Sequence, residues 1–170
     1  MKSKKCQLET KVTQMKLRFY RKHPEAILPT RAYDDAAGYD LHSCLKTESG
    51  RDSNVYLLPH MTKAIPTGLV LQAPAGHYLA ICSRSGLALH DPAIFVANAP
   101  GIIDPDYTGE IKVILYNAGN DIYTIRHGER IAQVLIRPLV VLDLEELNHP
   151  PEADDPINQR GDRGMGSTGL

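Results

Sequence analysis

The chain closes on RGDRGMGSTGL, residues 160–170, and those residue types suit one kind of ligand. Arginine offers a planar fork of donors, serine and threonine add small hydroxyls, and successive glycine N–H groups can form a nest for an anion. Together they are what a polyphosphate needs. The same composition also describes a disordered end, because glycine gives up the most conformational freedom on ordering. Four more segments are short, polar and marked by glycine: AAGYDLHS (36–43), SRSGLALHD (83–91), GIIDPDYTGE (101–110) and GERIAQ (128–133). Singly, three of them have plain structural readings. AAGYDL reads as a strand start with a structural aspartate, SRSGLA as a turn, and GIIDPDYTGE as a hairpin whose DPDYTG is good turn chemistry.

Several other chemistries are missing from the sequence, which has no GxxxxGK[ST] loop, no GxGxxG, no HExxH and no CxxC pair. The seven histidines are dispersed at no metal-ligand spacing. A formal net charge of −1 lacks the basic excess of a general nucleic-acid binder. Cys6, Cys44 and Cys82 form no close pair, which predicts reduced thiols in an intracellular protein and no disulfide framework. The RGD at Arg160–Asp162 is too short to mean cell adhesion. No apolar run reaches transmembrane length, and the lysine-rich first residues hold no apolar secretory core, so a cytoplasmic location is expected.

The elements that position these segments read as β-structure. A chain of 170 residues, 42% hydrophobic and 23% charged, fits one soluble domain. A domain of that size buries about 70% of its unfolded surface. KLRFY, NVYLL, TGLVLQ, HYLAICS, EIKVILYN, IYTI and RIAQVLI are short, rich in β-formers and often alternating. PTG, APAG, NAGND and RHG separate them with turn chemistry. No stretch of helical length carries a 3.6-residue period with caps. Many short strands at such spacing predict an all-β sandwich, jelly roll or small barrel. The expected organisation is a flexible basic arm over 1–15, a core over 16–147, an acidic proline-rich linker over 148–159 and the glycine-rich tail over 160–170.

Taken together and in this order, the five segments resemble the five motifs of the trimeric dUTP pyrophosphatases, the dUTPases, from about Leu17 to Gly169. The resemblance implies a jelly-roll β fold, a homotrimer with active sites at subunit interfaces, and a mobile C-terminal arm that closes each site. It also implies hydrolysis of dUTP to dUMP and pyrophosphate with Mg²⁺ as cofactor. That reaction keeps uracil out of DNA and supplies dUMP for thymidylate synthesis.

Residue by residue, the resemblance makes Asp104 the general base that positions water for attack at the α-phosphorus. Tyr107 matches the tyrosine that packs on the deoxyribose and leaves no room for a 2′-hydroxyl. Asn98, Ile102, Ile103 and Lys112 match the uracil-reading positions, Lys112 through its main chain. Arg84, Ser85 and Gly86 match the phosphate-binding turn, and Gln133 also faces the phosphates. Asp40 matches the carboxylate that steadies a water on the magnesium, with no direct protein ligand to the metal. Arg130 is expected to make a structural ion pair at an interface. In the tail, Arg160 would contact the γ-phosphate, with Gly166, Ser167 and Thr168 around the phosphates. Met165 departs from the aromatic residue that usually stacks on the uracil, and Arg163 from a position that is commonly small or polar. Sulfur over a ring contributes about 0.3–1.5 kcal/mol. A stacked aromatic contributes about 1–3 kcal/mol, so a weaker lid is expected. The related dCTP deaminases carry a catalytic glutamate where this chain has Ile114, which cannot shuttle a proton.

Overall fold

The computed structural model describes residues 15–47, 49–91 and 93–150. The first fourteen residues of the basic arm and the whole tail lie outside them. The strands in chain order are β1 (Arg18–Arg21), β2 (Tyr39–His42), β3 (Val55–Leu57), β4 (Thr62–Pro66), β5 (Leu69–Gln72) and β6 (His77–Cys82). A single turn-and-a-half helix, α1 (Ser85–His90), precedes β7 (Ile94–Val96), β8 (Gly101–Ile103), β9 (Lys112–Asn117), β10 (Tyr123–Ile125) and β11 (Arg130–Pro138).

Among the described residues every strand pairing is antiparallel. Four small sheets result, ordered β1-β5, β10-β3, β2-β11-β6-β8 and β4-β9-β7. Each sends apolar side chains into one shared core. Leu57 and Ile125 come from the β10-β3 pair, Leu69 and Leu71 from β5, Ile65, Val113 and Leu115 from the β4-β9-β7 sheet, and Leu41, Leu79 and Val134 from the largest. β9 illustrates why the sequence makes a strand. In KVILYN, Val113, Leu115 and Asn117 are buried and alternate with more exposed neighbours, the period-2 signature of a sheet with one covered face. This is the all-β antiparallel architecture that strand-length runs between turn signals predict.

Three strands and the helix go beyond that reading. TKAIP, IFV and GII are too short to announce themselves, and each becomes a strand because a longer neighbour offers it a ladder. The segment GIIDPDYTGE corrects a second expectation. Its flanking strands do not pair with each other as a hairpin. β8 pairs with β6 while β9 pairs with β4 and β7, so the 104–111 turn crosses between two sheets.

By compactness the chain divides into two units, Met1–Leu139 and Val140–Leu170. In the second, residues 140–150 form no helix or strand, and Val140, Val141, Leu142 and Leu144 are exposed. Among the described residues no helix is long and apolar enough to cross a membrane.

Candidate active site

β11 makes the first half of the site by breaking its own register. Gln133 pairs with Asp40 and Ala132 with Leu41, but Arg130 pairs with His42, so one extra residue sits between Arg130 and Ala132. Without that bulge, alternation would turn Arg130 toward the core. With it, Ile131 and Ala132 are both buried and Arg130 returns to the face shared by Asp40 and Gln133. The Arg130 guanidinium then donates to Asp40 Oδ2 at 3.3 Å. Arg84, just past β6, donates to the same carboxylate through Nε at 2.7 Å and more weakly through Nη2 at 3.5 Å. Its Nη1 donates to the Arg130 carbonyl at 3.2 Å. One carboxylate thus ties together β2, β11 and the turn after β6. The partner of Arg130 lies within the same chain.

These residues surround a cleft of about 320 Å³, bounded also by Gly38, Ser85, Gly86 and Gln133. Ser85 and Gly86 open α1, and the first N–H groups of a helix have no acceptor within it. Gln133 does not simply face the cleft. Its Nε2 donates to the Ser83 carbonyl at 2.9 Å, and a Cβ at Gly38 would overlap its Oε1. The Ser83 hydroxyl accepts from the Val96 N–H at 3.1 Å, which fixes the turn from its other side. A carboxylate accepts in roughly four directions. Three are taken by arginine N–H groups at Asp40, which leaves one for a water in the cleft.

A second cleft, of about 250 Å³, lies between β6, β8 and β9. Asn98, Ile102, Ile103, Asp104, Tyr107 and Lys112 line it over an apolar floor of Ile81 and Ile114. Asp104 is exposed at the rim, and its side chain has no hydrogen-bond or ion-pair partner among the described residues. The Tyr107 N–H donates to the Asp104 carbonyl at 3.1 Å, which closes the turn. Tyr107 Oη donates to the Glu110 carbonyl at 3.2 Å. The Glu110 carboxylate accepts from the Gly68 N–H at 2.9 Å and from Lys22 Nζ at 3.4 Å.

The two clefts share no lining residue. The predicted residues therefore fall into two groups: Asp40, Arg84, Ser85, Gly86 and Gln133 in one, and Asn98, Ile102, Ile103, Asp104, Tyr107 and Lys112 in the other. Arg160, Met165, Gly166, Ser167 and Thr168 lie outside the described residues. Sequence reasoning assigned no role to Ile81, nor to Gly38, Ser83, Gly109 and Glu110, although these four lie within the motif segments. Apart from the Gly109–Tyr107 contact inside one turn, their roles are contacts between distant segments, and no single-sequence pattern carries those. Among the described residues, no group of three His, Cys, Asp or Glu side chains is placed to hold a metal.

The fold and the sequence belong to a known class. The dUTPase family model matches residues 24–169. The deoxyuridine 5'-triphosphate nucleotidohydrolase of Solibacter usitatus is 45% identical over 127 residues, covering 74% of this chain and 80% of that protein. The enzyme of the same name from fowl adenovirus A serotype 1 is 40% identical over 156 residues, 91% of this chain and 78% of that one. The dUTPase of Staphylococcus bacteriophage 80alpha, solved with dUPNHPP, superposes with a TM-score of 0.72 at 24% identity, covering 91% of this chain and 99% of that chain. A variant dUTPase of S. aureus phage phi11, whose structure is described as revealing the coordination of a structural Mg(II) ion, superposes with a TM-score of 0.66 at 21% identity, covering 79% and 97%. The chain belongs to the dUTPase family.

Proposed function

We propose that the two clefts are halves of one dUTP site and that each site is completed between subunits of a homotrimer. The reaction of the family is then this chain's reaction: dUTP and water give dUMP and pyrophosphate. The observation that carries the assignment is the exposed carboxylate of Asp104, without a partner among the described residues, at the rim of a cleft with an apolar floor. Such a group is placed to orient water and accept its proton. In the step itself, water oxygen bonds to the α-phosphorus, the bond to the bridging oxygen of the β-phosphate breaks, and the water proton passes to Asp104.

Uracil occupies the second cleft, read by Asn98 and the backbone around Ile102, Ile103 and Lys112, with Tyr107 standing against the deoxyribose. The phosphates occupy the first. There the Ser85 hydroxyl and the N–H groups of Ser85 and Gly86 face the charge that develops on the departing pyrophosphate. Arg84 serves mainly as the clasp that holds Asp40, since three of its donors are already spent within the protein. Gln133 acts beside it by fixing Ser83. Mg²⁺, when bound, neutralises phosphate charge, and it typically keeps several waters and takes substrate phosphate oxygens as ligands. The one open acceptor direction of Asp40 suits a water of that kind. Arg160, Gly166, Ser167 and Thr168 clamp the phosphates from the tail, and Met165 covers the base.

The test is Asp104→Asn, which removes the base and little of the shape. Turnover of dUTP should fall by about 10²–10⁴-fold, the range for a lost general base, with dUTP affinity retained. Turnover within a few-fold of wild type would overturn the assignment.

A further inference from the structure

Gly109 stands out among the glycines of the site. Its φ is not positive, unlike that of Gly50, Gly68, Gly76 and Gly128, so no left-handed backbone calls for glycine there. What it lacks is room. A Cβ at 109 would overlap Tyr107 Oη, stand 2.5 Å from Cζ and lie 3.1 Å from Cε2. The three nearest atoms all belong to one tyrosine side chain. The far end of Tyr107 lies where a side chain at 109 would be, so any residue but glycine there must displace that ring.

We propose that Gly109 is the seat of Tyr107 and a positioning residue for sugar specificity. The empty space above Gly109 holds the ring in the orientation that walls off a 2′-hydroxyl. The inference rests on the reading of Tyr107 as that wall. Two further observations define the seat. Tyr107 Oη donates to the Glu110 carbonyl at 3.2 Å, and the Glu110 carboxylate is itself anchored by the Gly68 N–H. The ring thus bends back over its own turn toward a fixed acceptor. Tyr107 also borders a second cavity of about 240 Å³, formed with Phe19, Tyr20, Val70, Gln72 and Thr108. A ring displaced from Gly109 has space to enter it. A tyrosine ring moves as a rigid plate about two torsions, so a methyl at 109 shifts the whole ring and leaves the turn's backbone in place.

The consequence is a change in selectivity. Pyrophosphate release from dUTP and from UTP, with Mg²⁺, gives kcat/KM for each in wild type, Gly109→Ala, Tyr107→Ala and the double variant. Gly109→Ala should lower the preference for dUTP over UTP by about tenfold, the scale of one misplaced steric contact. Tyr107→Ala should lower it at least as much, and the double variant no further than Tyr107→Ala alone, because both changes act through the same ring. If Tyr107→Ala relaxes the preference and Gly109→Ala does not, the seat is wrong and the wall stands. An unchanged preference in Tyr107→Ala removes the wall and the seat with it. If Gly109→Ala fails to fold, recovery of a folded protein in the double variant supports the seat. A double variant that also fails to fold overturns it.

Discussion

His42 sits one residue beyond Leu41 on β2, directly opposite Arg130, with Nδ1 buried and without a hydrogen-bond partner among the described residues. Burial lowers its pKa from the ordinary 6.5. Arg130 and Arg84 push the same way, and Asp40 opposes them. The sign of the stability effect follows. As pH falls below 6.5, the unfolded chain takes up this proton before the folded one does. His42 therefore costs the fold nothing above 6.5 and progressively more between 6.5 and its lower folded value. Wild type should lose more thermal stability than His42→Gln between pH 7.5 and about pH 5.5, a window set by the linkage relation. Parallel melting curves for the two proteins check this, and equal slopes against pH would contradict it.

Among the elements, the turn from Asp104 to Ile111 is held from below by the β4–β5 connection. The Gly68 N–H donates to the Glu110 carboxylate at 2.9 Å, and Thr67 Oγ1 donates to the Ile111 carbonyl at 2.7 Å. A part-buried hydrogen bond to a charged group contributes about 1.5–3 kcal/mol, so Glu110→Ala should lower the unfolding free energy in urea by about 2 kcal/mol. Glu110→Gln keeps an acceptor and should lose about half as much. Lys22, whose side chain is 62% exposed, contributes little to its ion pair with Glu110, and Lys22→Ala should stay within about 0.5 kcal/mol of wild type. Equal losses for Lys22→Ala and Glu110→Ala would mean that the ion pair, and not the Gly68 contact, secures the turn. The elements also mark how far a sequence can be read. HYLAICS and EIKVILYN announce β6 and β9 because six residues of apolar pattern suffice. GII and IFV become β8 and β7 only through β6 and β9. The bulge in β11 is invisible in GERIAQ, since nothing in one strand reveals the register of its partner.

For the molecule as a whole, the two clefts without a common residue make a prediction about assembly. If one site draws its phosphate half from one subunit and its uracil half from another, two inactive chains can repair each other. Co-expression of Asp104→Asn with Ser85→Ala should restore activity at about a quarter of the sites when subunits assort at random in a closed ring. A site built within one chain would give no restoration, and assay of the mixed and separate proteins decides between them. From residue types and order alone, the sequence determined the all-β class, the five motifs, and so the family and its reaction. Local alternation and glycine-marked turns are written along the chain, and a motif is a property of neighbouring residues. Only the tertiary structure decided that the motifs separate into two clefts, that Arg84 and Arg130 share Asp40, and that Gly109 makes room for Tyr107. The first two depend on strand register and on contacts between segments far apart in the chain, and the third on how one turn folds back over itself. The shared core of four sheets fixes such contacts, and no local pattern encodes them.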